Sequence, residues 1–183
     1  MLAIIALLLL VSPAAAGHGA QGAHAAHGAS GPLQPGAAAP AFTAPTLDGG
    51  SLSLASLKGH VVLLNFWALD CPPCRVEMPE LEKIHRRYAG RGLRVVGVTE
   101  MNPDPKQAAQ AFEEIGATYP AILDAKERVA ALYRIEAHPT TFVIDAAGVI
   151  RFVNSGYLKG EEADIERAVR KALAARERRG SKP

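Results

Sequence analysis

The stretch Val61-Val62-Leu63-Leu64-Asn65-Phe66-Trp67 constrains this chain more than any other, because it is apolar at every position but Asn65 and shows no alternation. A strand with one wet face alternates. A strand apolar throughout must be covered on both faces, as in the middle of a sheet packed between helices. The sequence downstream fits that demand. Residues 93–99 read as a second buried strand, 119–123 as a third, and 140–145 as a fourth, which turns through Ala146-Ala147-Gly148 into an antiparallel partner over 149–154. Helices are expected over 73–88, with a kink at Pro79, and over 105–115, 125–133 and 161–178. In the last of these, Ile165, Ala168, Val169, Ala172 and Leu173 make the stripe of a helix packed on a sheet. Ahead of them all, Asp48-Gly49-Gly50 leads into Ser51-Leu52-Ser53-Leu54, the pattern of a short edge hairpin. The fold class is therefore α/β, a mixed central sheet flanked by helices with an N-terminal hairpin extension.

The 183 residues carry 20 Lys and Arg against 18 Asp and Glu, a near-balance that argues against a nucleic-acid binder. The basic end of the last helix, Arg176, Arg178 and Arg179, suits the helix dipole and reads as a solvated helix end. One domain, expected over 40–179, accounts for the folded part. Residues 1–16 have the apolar run, the helix-breaking Pro13 and the small residues Ala14-Ala15-Ala16 of a cleavable signal peptide, although no Lys or Arg precedes the run. The run is too short for a comfortable membrane span, and the one membrane contact expected is a weak anchor should the segment stay uncleaved. Residues 17–39 hold no charge and few bulky side chains, and are expected to be a flexible linker. Their His18, His24 and His27 are irregularly spaced, with no carboxylate or thiol beside them, so they read as incidental rather than as metal ligands.

All the thiol chemistry lies in Cys71-Pro72-Pro73-Cys74. A disulfide closing so small a loop stabilises a fold by roughly 2 kcal/mol, against about 4.7 kcal/mol for a hundred-residue loop, so the pair is a poor staple. Zinc wants four ligands, and no second Cys pair exists. A reversible dithiol fits better, because the pair sits where a buried strand ends and a helix begins. Unpaired amides and the dipole at a helix start stabilise an anion, so the Cys71 thiol is expected below its free value and exposed as a nucleophile. Pro72 and Pro73 fix the backbone just before the first turn. Cys74, inside that turn, is placed to resolve the mixed disulfide that Cys71 forms.

The run Phe66-Trp67-Ala68-Leu69-Asp70-Cys71-Pro72-Pro73-Cys74-Arg75-Val76-Glu77-Met78-Pro79-Glu80-Leu81, with Val98, the segment from Tyr119-Pro120 to Asp124, and Pro139-Thr140-Thr141-Phe142-Val143-Ile144-Asp145 before Gly148, resembles the TlpA/ResA-like branch of the thioredoxin superfamily over roughly residues 40–175. The resemblance implies a thioredoxin-like fold and thiol-disulfide oxidoreductase activity outside the cytoplasm. It implies that Pro139 is cis and close to Cys71, that backbone beside His138 pairs with a substrate strand, and that Glu77 handles protons near the dithiol. Trp67, Pro72, Pro73, His138 and Thr140 are the residues then expected to shape the client-docking surface. Asn65 stands where ordinary thioredoxins carry a buried Asp, leaving Glu77 or water as the base for Cys74.

The implied partners are protein disulfides as substrates, with apocytochrome c or copper-site cysteines as clients, and a membrane thiol relay as electron donor. No bound cofactor, metal or nucleic acid is expected, and the protein is expected to be a monomer. Asp70, directly before Cys71, departs from the family pattern and should oppose ionisation of that thiol, whereas protonated His138 would favour it. Two other functions share the fold. A peroxiredoxin needs Thr or Ser three residues before its reactive Cys, where this chain has Ala68. A copper chaperone would favour a wider Cys pair with a distal His, and only the linker histidines speak for it.

Overall fold

A computed structural model describes residues 31–101 and 104–180. The expected signal peptide and linker histidines lie outside the described residues. The chain forms β1 (Thr43–Pro45), β2 (Ser51–Ser53), β3 (Val61–Trp67), α1 (Pro72–Tyr88), β4 (Leu93–Thr99), α2 (Pro105–Glu114), β5 (Ala121–Leu123), α3 (Arg128–Tyr133), β6 (Thr140–Ile144), β7 (Ile150–Ser155) and α4 (Glu162–Gly180). The main sheet has the order β5-β4-β3-β6-β7, in which β3, β4 and β5 are parallel and β6 runs antiparallel to both of its neighbours, β3 and β7, and β1 with β2 forms a separate hairpin. This is the mixed sheet that the sequence predicts.

The apolar run of β3 is buried at all seven positions. Its side chains divide between two cores. On one face Leu63 and Trp67 pack with Met78, Leu81 and Ile84 of α1 and with Ile165, Val169 and Leu173 of α4. On the other, Val62, Leu64 and Phe66 meet Phe42, Val129, Tyr133 and Phe142. No helix among the described residues is long and apolar enough to cross a membrane.

Several boundaries differ from expectation for local reasons. The third strand starts at Ala121 rather than 119, because Pro120 has no N–H and offers only its carbonyl, which accepts from Gly97 N at 3.0 Å. The helix expected from 125 starts at Arg128, since Asp124 first turns the chain and its carboxylate accepts the N–H groups of Arg128 (2.9 Å) and Ala130 (2.8 Å). Helix α1 continues through Pro79.

The C-terminal part of the segment expected to be a flexible linker is ordered. Gly36 N donates to Ile150 O at 2.8 Å, Ile150 N to Ala37 O at 2.9 Å and Ala39 N to Gly148 O at 2.8 Å. Leu33, Ala37 and Ala39 pack on the second core. The physical reason is the open edge of β7, whose unpaired backbone groups recruit the passing chain.

Candidate functional site

The dithiol stands where β3 gives way to α1. Cys71 caps the helix from an extended backbone (φ −129°, ψ 90°), and its sulfur accepts the Cys74 N–H at 3.3 Å. Cys71 and Cys74 form a disulfide with Cα atoms 5.3 Å apart. Pro72 and Pro73 occupy the first helical positions, where a missing N–H leaves no bond unmade. Cys74 is fully buried and Cys71 is 6% exposed. The order of exposure is the expected one, but Cys71 is more enclosed than the open nucleophile the sequence suggests. Both sulfurs belong to the core cluster that contains Trp67, Ala68 and Met78, which walls the pair on its inner side.

The turn before β6 lies at the same end of the sheet. Phe66 pairs with Thr140, so the residues just beyond, Trp67 on β3 and Pro139 before β6, emerge side by side. The His138–Pro139 bond is cis, as the resemblance implies. Pro139 O accepts Gly156 N–H at 2.8 Å, which ties the β7–α4 loop to this turn. From the other side, Glu100 at the end of β4 donates its N–H to Trp67 O at 3.1 Å. Its Oε2 lies 3.0 Å from His138 Nε2, an ion-pair distance without the alignment of a hydrogen bond. Burial pushes the Glu100 carboxyl up, His138 pulls it down, and the charges of Asp124 and Glu127 add to the rise.

Beneath the dithiol, Glu77 is fully buried one helical turn after Cys74. Asn65 Nδ2 donates to Glu77 Oε2 at 2.7 Å and to Thr141 Oγ1 at 2.8 Å, and Thr141 Oγ1 donates to Glu77 Oε1 at 2.9 Å. Burial pushes the Glu77 carboxyl up to about 7. The hydrogen bonds from Thr141 and Asn65 pull against it, and the charge of Glu161 adds to it. A carboxyl balanced there can give or take a proton near neutrality.

Of the residues expected to shape the docking surface, Pro72 is exposed, while Pro73 and His138 are partly so. Trp67 and Thr140 are not at that surface. Trp67 is 1% exposed and packs on Phe112, with ring centroids 5.8 Å apart. Thr140 is fully buried, and its hydroxyl donates to Ala137 O at 2.7 Å. Both sit on central strands whose faces are covered, so their side chains support the surface from below. Asp70 is exposed.

Sequence reasoning missed Thr141 and Glu100. Thr141 becomes visible only with the β3–β6 register that sets it opposite Asn65. Glu100 had one signal, a carboxylate directly after an apolar strand. Among the described residues, no group of three or more His, Cys, Asp or Glu is placed to hold a metal ion.

Residues 35–153 match the AhpC/TSA family. The thioredoxin-like protein YneN of Bacillus subtilis (strain 168) is 39% identical over 134 residues, covering 72% of this chain and 78% of its own. The thiol-disulfide oxidoreductase ResA of Geobacillus kaustophilus is 34% identical over 133 residues, covering 72% of this chain and 74% of its own. Among solved structures, a thiol:disulfide interchange protein of the thioredoxin family from Chlorobium tepidum superposes with a TM-score of 0.67 at 34% identity, covering 78% of this chain and 99% of that one. A dithiol at the start of a helix, a cis-proline turn beside it and these relatives agree: the chain belongs to the AhpC/TSA family, on its ResA-like thiol-disulfide oxidoreductase branch.

Proposed function

We propose that the protein is exported and works as a reductant of protein disulfides, with Cys71 as attacker, Cys74 as resolver and Glu77 as the acid–base group. The observation that carries this reading is the pairing of a helix-capping Cys71 with a buried Cys74 that has Glu77, raised to about 7, one turn away. In the reduced protein the Cys74 N–H that now meets the Cys71 sulfur is placed to stabilise its thiolate. That thiolate attacks one sulfur of a client disulfide. The Cys71–client bond forms, the client S–S bond breaks, and the second client sulfur leaves with the electron pair and takes a proton. Cys74 then gives its proton to Glu77 and attacks Cys71, so that the Cys71–Cys74 bond closes as the Cys71–client bond breaks, and the first client sulfur leaves as a thiolate that takes a proton from water. Two electrons pass to the client. A membrane thiol relay would restore the dithiol, and apocytochrome c or copper-site cysteines are the clients in view.

The leader-like residues 1–16 support export, and the absence of a chemical need for a bound cofactor follows from the dithiol carrying both electrons. The test is turnover of insulin disulfides with dithiothreitol as donor. Cys71→Ser should abolish turnover and Cys74→Ser should accumulate a mixed disulfide with the client. Full activity in Cys71→Ser would overturn the mechanism. Recovery of the full chain only from the cytoplasm of its own cells would overturn export.

A further inference from the structure

A cavity of about 510 Å³ between β7 and α4 has no part in the dithiol chemistry. It reflects an uneven helix stripe. Ile165, Val169 and Leu173 of α4 fill the core, whereas the short side chains of Ala168, Ala172 and Ala175 line the cavity together with Phe152 of β7. Its floor is therefore apolar.

Strand β7 is irregular at the same place. Ile144 pairs with Ile150 and Val143 with Phe152, so Arg151 is the extra residue of a bulge. Consecutive residues of a regular strand face opposite sides of the sheet, yet Arg151 and Phe152 both line this cavity. The bulge thus brings a guanidinium to the edge of the apolar floor.

The charges around the cavity do not cancel. Four cations, Arg151, Arg167, Lys171 and Arg179, line it against two carboxylates, Asp145 and Asp164. Both carboxylates are already engaged. Asp145 accepts the N–H groups of Ala147 (2.9 Å) and Val149 (3.0 Å) and the Nε–H of Arg151 (2.7 Å), and Asp164 pairs with Arg167. The bond from Arg151 uses Nε and leaves its two terminal nitrogens without an acceptor among the described residues. Lys171 and Arg179 likewise have no acceptor or counter-ion among the described residues. The helix dipole accounts for a cation in the last turn of α4, but it reaches neither Lys171, two turns earlier, nor Arg151 on a strand.

The cleft is also polarised along its length. Asp145 and Arg151 lie where β3 begins, at the end of the sheet opposite Cys71. Arg176, one turn before Arg179, bonds Gly59 O at 2.6 Å and so fixes the end of α4 there too. From Asp164 to Arg179 the helix covers about 22 Å.

We propose that this cleft binds an elongated amphipathic acid, an oxyanion head on a straight apolar tail, with the head held by Arg151, Lys171 and Arg179 and the tail laid along Phe152 and the three alanines. A guanidinium fork matches the oxygens of a carboxylate or phosphate, and burial of the tail supplies the remaining affinity. The volume suits a single small molecule, and the recess between strand and helix takes one chain rather than a bilayer. The site is remote from the sulfurs, so its test does not depend on reductase activity.

The oxidised full chain is titrated at low salt with the fluorescent dye anilinonaphthalene sulfonate, followed by competition with decanoate. One saturable site should appear, and decanoate should displace the dye while decylamine, the same tail with a cationic head, should not. In K171Q/R179Q the affinity for decanoate should fall about tenfold and lose most of its salt dependence. In A175L, which keeps every charge but fills the floor, it should fall about tenfold as well. No saturable dye binding by the wild type, displacement by decylamine as readily as by decanoate, or unchanged decanoate affinity in either variant would overturn the site. Equal sedimentation of wild type and A175L with phosphatidylglycerol vesicles, with no displacement of dye by decanoate, would assign these cations to a membrane surface and overturn the cleft.

Discussion

Replacing Glu77 by Gln should stabilise the oxidised protein at alkaline pH and flatten its pH dependence. Burial pushes the Glu77 carboxyl up to about 7 in the fold, against 4.5 for a free Glu side chain. The folded state therefore binds this proton more tightly than the unfolded chain, so the contribution is most favourable below about 4.5 and is lost as pH rises to about 7. The full difference amounts to about 3 kcal/mol, of which about 2.5 kcal/mol falls between roughly pH 5 and 8. Gln keeps an acceptor for the Thr141 hydroxyl but has no charge to desolvate, and Asn65 Oδ1, buried without a partner, can receive its amide after a flip. The assay is urea unfolding of the oxidised wild type and Glu77→Gln across that range, with the disulfide keeping both thiols out of the titration. The wild type should lose about 2.5 kcal/mol relative to the variant. Parallel stability curves would refute the argument that a desolvated carboxyl sits under the dithiol.

Thr141→Val removes one of the two donors that hold Glu77 down, so the pH midpoint for resolving the mixed disulfide should move upward by about one to two units, the worth of a hydrogen bond to a charged group. Stopped-flow release of the client from the Cys71 mixed disulfide reads that midpoint, and a downward shift would contradict the assignment. A Cβ at Gly97 would lie 3.2 Å from Phe112 Cε2 and 3.3 Å from both Ala121 Cβ and Trp67 Nε1. Gly97→Ala should therefore destabilise by about 1–3 kcal/mol through overpacking, seen as a lowered Tm; an unchanged Tm would show that this layer has slack. Asp124→Ala leaves the first N–H groups of α3 without their acceptor and should cost about 1–2 kcal/mol in urea unfolding.

Most of the architecture was legible because the signals were strong and local. The unbroken apolar run of residues 61–67 demanded cover on both faces, and residues 93–99 form the second strand with the boundaries the pattern predicts. The strand–Cys-Pro-Pro-Cys–helix junction gave the redox centre for the same reason. What escaped depended on partners distant in sequence. Residues 33–39 look featureless alone and become ordered through partners far along the chain, the edge of β7, the Tyr133 carbonyl and the second core. The resemblance makes Trp67 and Thr140 part of the docking surface, whereas the sheet directs their side chains inward. The Asn65–Thr141–Glu77 cluster joins three elements through a strand register that no local pattern encodes.

The division of labour between the two sulfurs is the centre of this account, and alkylation of the reduced protein tests it most directly. Iodoacetamide at neutral pH, followed by peptide mass spectrometry over time, reports each thiol separately. Cys71, the helix cap with residual exposure, should be modified at least about tenfold faster than the fully enclosed Cys74. Equal rates, or faster modification of Cys74, would contradict it.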